Sequence, residues 1–137
     1  MQSESVRAFK NELRNYSYYL SRAATLSASI DFLYDRLGGV RGVDPSKEPI
    51  HSPPNKEMEY QLREQIEALT QKKEAVAAKI KSIEQILARM ETSLREAVIE
   101  VYVYNYKCVA VADRMYLSST GLQKRMNKAI EKALNES

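Results

Sequence analysis

Every proline of the chain (Pro45, Pro49, Pro53, Pro54) and three of its four glycines (Gly38, Gly39, Gly42) fall between positions 38 and 54. Outside that stretch only Gly121 interrupts a sequence rich in Ala, Leu, Glu, Lys, Arg and Gln. Those side chains lose little rotamer freedom in a helix. The distribution predicts an all-α protein with one irregular connection.

Ser3 or Ser5 supplies a hydroxyl to cap the first helix, with Glu4 near the positive end of its dipole. From there a series alternates by three and four: Val6, Phe9, Leu13, Tyr16, Leu20, Ala23, Ser27, Ile30, Tyr34, Leu37. Such a series is a coiled-coil seam or one face of a bundle. One helix of roughly 50 Å is predicted, ended by Gly38 and Gly39. Residues 38–56 form the linker, long for a connection within a compact protein. A second helix, from near Asn55 into the nineties, carries Leu62, Ile66, Leu69, Lys73, Val76, Ile80, Ile83, Leu87, Met90 and Leu94 at the same spacing. Two matched stripes joined by a linker predict a long, coiled-coil-like antiparallel helical hairpin over residues 1–93. Apolar residues beside the seams (Tyr19, Phe32, Leu33, Ile86, Val98) widen these faces, which predicts pairing of two chains into a four-helix homodimer.

Residues 94–137 have another character. Short helices are predicted at about 94–104, 108–115 and 119–135, with breaks at Asn105-Tyr106-Lys107 and Tyr116-Leu117-Ser118. Asn tolerates a left-handed turn, and Ser118 caps the last helix. A short helix, a tight turn and a longer helix predict a small C-terminal helix-turn-helix. VIEVYVYNY alternates as a strand would, but no other segment offers it a partner, so it is assigned to helix. Tyr104 and Tyr106 are then expected to pack this small domain against the hairpin.

In the last helix Leu122, Met126, Ala129, Ile130 and Ala133 share one side and form a core with Leu117, Val111 and Ala112. The other side carries Thr120, Gln123, Lys124 and Asn127, with Ser119 at its edge. These residue types read base edges: the amides pair with adenine, Lys reaches guanine acceptors, and Thr meets the thymine methyl. Arg125, Lys128 and Lys132 flank that side. With Lys107 and Arg114 they are the candidates for phosphate contacts.

A net charge of +3 permits nucleic-acid binding without demanding it. Cys108 is the single cysteine and His51 the single histidine, too few for an internal disulfide or for a metal site of ordinary His and Cys ligation. Cys108 is read as a small, partly buried residue at a helix start. The pairs Asp31/Asp35 and Glu96/Glu100 are read as solvated surface. No Gly-rich phosphate loop and no nucleophile triad is present, so neither an enzyme nor a cofactor is expected. No apolar run approaches a membrane span and no signal-peptide pattern begins the chain, which predicts a cytoplasmic protein without a membrane partner.

The run VYVYNYKCVAVADRMYLSSTGLQKRMNKAIEKAL resembles region 4 of bacterial sigma factors. Val111-Ala112 match that family's Ile-Ala pair, Leu117-Ser118 its turn and cap, and Leu122 its buried Val. Ala129, Ile130 and Lys132 match its trailing segment. The long helices, the linker with His51-Ser52-Pro53 and this C-terminal motif together resemble small phage and mobile-element transcription regulators of the RinA, ArpU and LtrC kind. The resemblance implies control of phage transcription, of late genes in particular, through double-stranded promoter DNA and RNA polymerase in a bacterial host. The sequence departs from the pattern at Tyr116 (Gly or Asn in the family's turn), at Gly121 inside the recognition helix, and at Ser119 (often basic). A DNA-recognition subunit of a packaging machine, and a module that binds polymerase or a regulator without DNA, remain open alternatives.

Overall fold

A computed structural model describes residues 3–40 and 56–136. Every regular element in them is helical: α1 (Glu4–Arg14), α2 (Tyr16–Val40), α3 (Lys56–Ala88), α4 (Thr92–Val98), a π-helical turn (Ile99–Val103), α5 (Cys108–Arg114) and α6 (Ser119–Asn135). The linker residues 41–55, with His51, Ser52 and the prolines, lie outside the described residues.

The single first helix expected from the sequence is two. Ser3 caps α1, its hydroxyl accepting from the Val6 N–H at 3.2 Å. At Asn15 the backbone leaves the helical path (φ −93°, ψ −1°), and its N–H is shared between the carbonyls of Asn11 and Glu12. Asparagine is a weak helix former, since its side chain competes for backbone groups. The break changes which side of the following helix is covered. Beyond Leu13 the buried residues are Tyr19, Leu26, Ile30, Leu33 and Leu37. This series keeps the expected Ile30 and Leu37 but replaces Leu20, Ser27 and Tyr34 by their preceding neighbours. Leu20 and Tyr34 are 45% and 55% exposed, and Ser27 is half-buried. α2 also runs through Gly38 and Gly39 to Val40. A helical glycine costs only about 1 kcal/mol, so two of them weaken the end of the helix without fixing where it stops.

The second stripe is kept as far as Leu87, but its last two members, Met90 and Leu94, lie beyond the end of α3. Leu62, Ile66, Ile83, Leu87 and Met90 are buried, Leu69, Val76, Ile80 and Leu94 half-buried, and Lys73 exposed. The helix ends at Ala88, and a short bend at Met90 precedes α4.

Two compact units result. One groups the described residues of Ser21–Ala77, where Ile30, Leu33 and Leu37 of α2 close with Leu62, Ile66 and Leu69 of α3 into one apolar cluster. The other groups the described residues of Met1–Leu20 with those of Ala78–Ser137. Here α6 packs against α1, α4 and α5, and the π turn packs against α1 and α5. Its core holds Val6, Phe9 and Leu13 from α1, Val98 from α4, Val111 and Ala112 from α5, and Leu122, Met126, Ile130 and Ala133 from α6.

The VIEVYVYNY segment is helical through Val103 and irregular from Tyr104 on, its last turn widened so that the Tyr104 N–H reaches the Ile99 carbonyl at 3.0 Å. Tyr102 is the buried ring of this segment. Tyr104 and Tyr106, expected to pack, keep more than half of their surface in solvent and meet each other at 5.8 Å between ring centroids. The wide turn rotates Tyr102 inward, and the left-handed Asn105 (φ 60°) then turns the chain away.

Candidate functional site

α5 and α6 are joined by a tight turn. Met115 is the C-cap of α5, Tyr116 takes a left-handed conformation (φ 58°), and the Leu117 N–H closes back on the Ala112 carbonyl at 2.9 Å. Ser118 then caps α6, its hydroxyl accepting from the Gly121 N–H at 3.0 Å. A Cβ at position 121 would stand 3.0 Å from that hydroxyl oxygen, a tight contact that a small shift of the serine side chain relieves. Cys108 opens α5 half-buried, its thiol 3.7 Å from the Ser119 carbonyl, which ties the start of one helix to the start of the other. Burial pushes the Cys108 thiol above its ordinary range, so it is protonated at neutral pH.

Leu122, Met126, Ile130 and Ala133 bury one side of α6, and the remaining positions fall into three strips. The outermost holds Thr120 and Lys124 in its first half and Glu131 further along, all exposed. On one flank, Arg125, Lys128 and Lys132 line a groove of about 330 Å³ floored by Met90, Leu94, Ala129 and Ala133. Arg89 joins this groove and donates from Nη1 to the Ala133 carbonyl at 3.0 Å. Glu91 is its one acidic lining residue.

On the other flank, Gln123 and Asn127 border a basin of about 580 Å³ shared with Arg7, Lys10, Asn11 and Arg14 of α1 and Val101 and Tyr102 of the π turn. Lys10 is only 6% exposed. Its ammonium donates to Asn127 Oδ1 and stands 5.0 Å from the centroid of the Tyr102 ring, where Arg14 also lies, at 5.7 Å. Burial first, and then the Arg14 charge, pull the Lys10 pKa below its ordinary value. Burial pushes the Tyr102 phenol up.

The residues singled out in the sequence thus occupy different settings. Thr120, Gln123 and Lys124 are exposed. Asn127 is half-buried with its oxygen engaged by Lys10, and Ser119 is half-buried with its carbonyl facing Cys108. Arg125, Lys128 and Lys132 share one groove. Lys107 is exposed at the start of α5, and Arg114 pairs with Glu100 of the π turn. Arg7, Lys10, Asn11, Arg14 and Arg89 were not singled out. The spacing of Arg7, Lys10 and Arg14 does mark a cationic row along one side of α1. Their meeting with α6 is a contact across 117 residues, which no local pattern announces.

No protein-family model, curated protein or solved structure matches the chain. Among the described residues no helix is long and apolar enough to cross a membrane, and no group of His, Cys, Asp or Glu is placed to hold a metal ion.

Proposed function

We propose that this chain is a site-specific DNA-binding regulator of phage or mobile-element transcription, acting without catalysis. In this reading α5, the Met115–Ser118 turn and α6 form a helix-turn-helix of the sigma region 4 type, with α6 as the recognition helix. One observation carries the proposal: the outer strip of α6, with Thr120 and Lys124, is bracketed by Arg125, Lys128, Lys132 and Arg89 on one flank and by Arg7, Lys10 and Arg14 on the other. A helix in the major groove, which is about 12 Å wide, has a phosphate strand on each side. Cations on both flanks suit that position, and Thr and Lys between them suit base edges. Gln123, exposed at the rim of the basin, is within the same footprint.

The mobile-element assignment, the late-gene role and an RNA polymerase contact rest on the resemblance to phage regulators. The hairpin of α2 and α3 is proposed as the dimerising part. Phe32, Tyr34 and Tyr60 leave most of each ring in solvent there, which a second copy would cover. Sedimentation at tens of micromolar is expected to give a dimer, and a monomer would remove this part of the proposal.

The test of DNA recognition is selection from a random duplex pool with the purified chain at two salt concentrations. Enrichment of one motif, with affinity falling steeply as salt rises, is the expected result. Lys124→Ala should weaken binding to that motif by about 1–3 kcal/mol if Lys124 reads a base. No enrichment and no retained DNA at low salt would leave α6 as a protein-binding surface, with polymerase the first partner to try.

A further inference from the structure

The basin between α1 and α6 is lined by three cationic side chains, three amides, one tyrosine and one valine. The two asparagine oxygens are already used: Asn127 Oδ1 accepts from Lys10, and Asn11 Oδ1 accepts from Arg14 Nη1 at 3.0 Å. Each asparagine is left with its N–H groups to offer. No carboxylate lines the cavity. Glu12, the acid within this stretch of α1, instead receives the Tyr19 hydroxyl at 2.8 Å. Lys10 is more than nine-tenths buried and has no carboxylate partner among the described residues, and the Arg7 guanidinium has no hydrogen-bond partner among them either. A buried ammonium beside the Arg14 guanidinium, in a basin that Arg7 also lines, is costly unless something negative completes the cluster. The lowered Lys10 pKa is the imprint of that incomplete state.

We propose that this basin is a phosphate-binding site, with Lys10 at its floor, Arg7 and Arg14 at its walls, and the amide N–H groups of Asn11 and Asn127 as orienting donors. Guanidinium groups match phosphate oxygens in paired hydrogen bonds, and the ammonium adds a point charge beneath them. The chemistry of the site stands on its own. The source of the phosphate rests on the DNA-binding reading, which makes it a backbone phosphate beside the bases met by α6. Asn127 then serves the sugar-phosphate backbone and not a base edge, and α1 becomes part of the nucleic-acid interface.

Two measurements on the full chain separate the site from its source. In the first, pyrophosphate is titrated at low ionic strength while the side-chain amide signals of Asn11, Gln123 and Asn127 are followed by NMR. These signals should shift saturably, and should stop shifting in the R7Q/R14Q double variant. Both arginines are exposed, so the core is untouched. Amides that stay still, or that move equally in the variant, overturn the proposal. In the second, binding of non-specific duplex DNA is measured against salt. The slope of log affinity on log salt should fall by about 0.9 for each cation that meets a phosphate, hence by roughly two for the double variant. An unchanged slope together with a pyrophosphate response supports the site and assigns it to a free phosphorylated ligand. A pyrophosphate response in a chain that retains no DNA sinks the DNA-binding reading and leaves the phosphate site standing.

Discussion

Tyr116 keeps 96% of its surface in solvent at φ 58°, so its ring contributes no packing while its Cβ bears the cost of a left-handed backbone. That cost is about 1–2 kcal/mol for an L-residue. Glycine would remove it and lose about 0.5–1 kcal/mol to the greater freedom of its unfolded chain. Tyr116→Gly is therefore expected to leave stability unchanged or raise it by up to about 1.5 kcal/mol, read as the urea midpoint. A loss of that size would mean that the ring covers something the geometry does not show. The neighbouring cap should behave in the opposite way: Ser118→Ala costs about 1 kcal/mol, because the Gly121 N–H loses its acceptor. Tyr102 supplies a pH signature. Burial raises its folded pKa above the unfolded value near 10, so the neutral phenol adds stability that is complete below that pH and lost as pH climbs through the folded pKa. Between about pH 9 and pH 11 the wild-type chain should lose more stability than Tyr102→Phe does. Some alkaline loss should persist in the variant, since Tyr16 and Tyr19 are raised as well, Tyr16 chiefly by burial and Tyr19 chiefly by its hydrogen bond to Glu12. Equal losses in both chains would place Tyr102 in contact with solvent.

At the scale of elements, helix type and most boundaries were legible, because capping and turn chemistry act over a few residues. Ser3, Asn105 and Ser118 do what their side chains suit them for, and α6 spans the expected residues. The phase of the seam on α2 was not legible. Two series compete there: one through Leu20, Ser27 and Tyr34, the other through Tyr19, Leu26 and Leu33. Both share Ile30 and Leu37, and both alternate by three and four. Periodicity cannot choose between them while the break at Asn15 is unknown, because an unbroken helix carries the phase of Val6, Phe9 and Leu13 onward. The one polar member of the first series, Ser27, was the available clue. The two phases differ in energy at single positions. Leu26 is 1% exposed, so Leu26→Ala should cost about 2–5 kcal/mol, whereas Leu20→Ala, at a site 45% exposed, should cost well under half of that. Denaturant titration of the two variants decides the phase. A larger loss at Leu20 would restore the continuous seam.

For the whole molecule, the part that the sequence hid most completely is the company α6 keeps. Read in chain order, the C-terminal helices look self-contained, since α5 and α6 have their own turn and their own small core. In the folded chain α1 packs on α6 and on the π turn and places Val6, Phe9 and Leu13 in the same core, at 2%, 5% and 0% exposure. Each such side chain is worth about 1.5–3 kcal/mol when buried, so α1 brings roughly 5–9 kcal/mol of apolar cover. A small domain has only about 5–15 kcal/mol of net stability in all. Residues 94–137 alone would thus surrender most of what holds them, and would expose the cleft that α1 fills. This fragment is expected to lack a cooperative thermal transition and dispersed methyl signals, while the full chain has both. Removing residues 1–15 from the full chain should give the same loss in the C-terminal helices, although their own sequence is intact. The candidate interface depends on the same packing, since Arg7, Lys10 and Arg14 ride on α1. If the chain binds DNA as proposed, truncation would lower that affinity through both routes, whereas the R7Q/R14Q variant loses only the charges. A fragment 94–137 that melts cooperatively and keeps its fold would mean that α1 is an accessory to a self-sufficient domain, and the affinity lost on truncation would then measure the α1 cations alone.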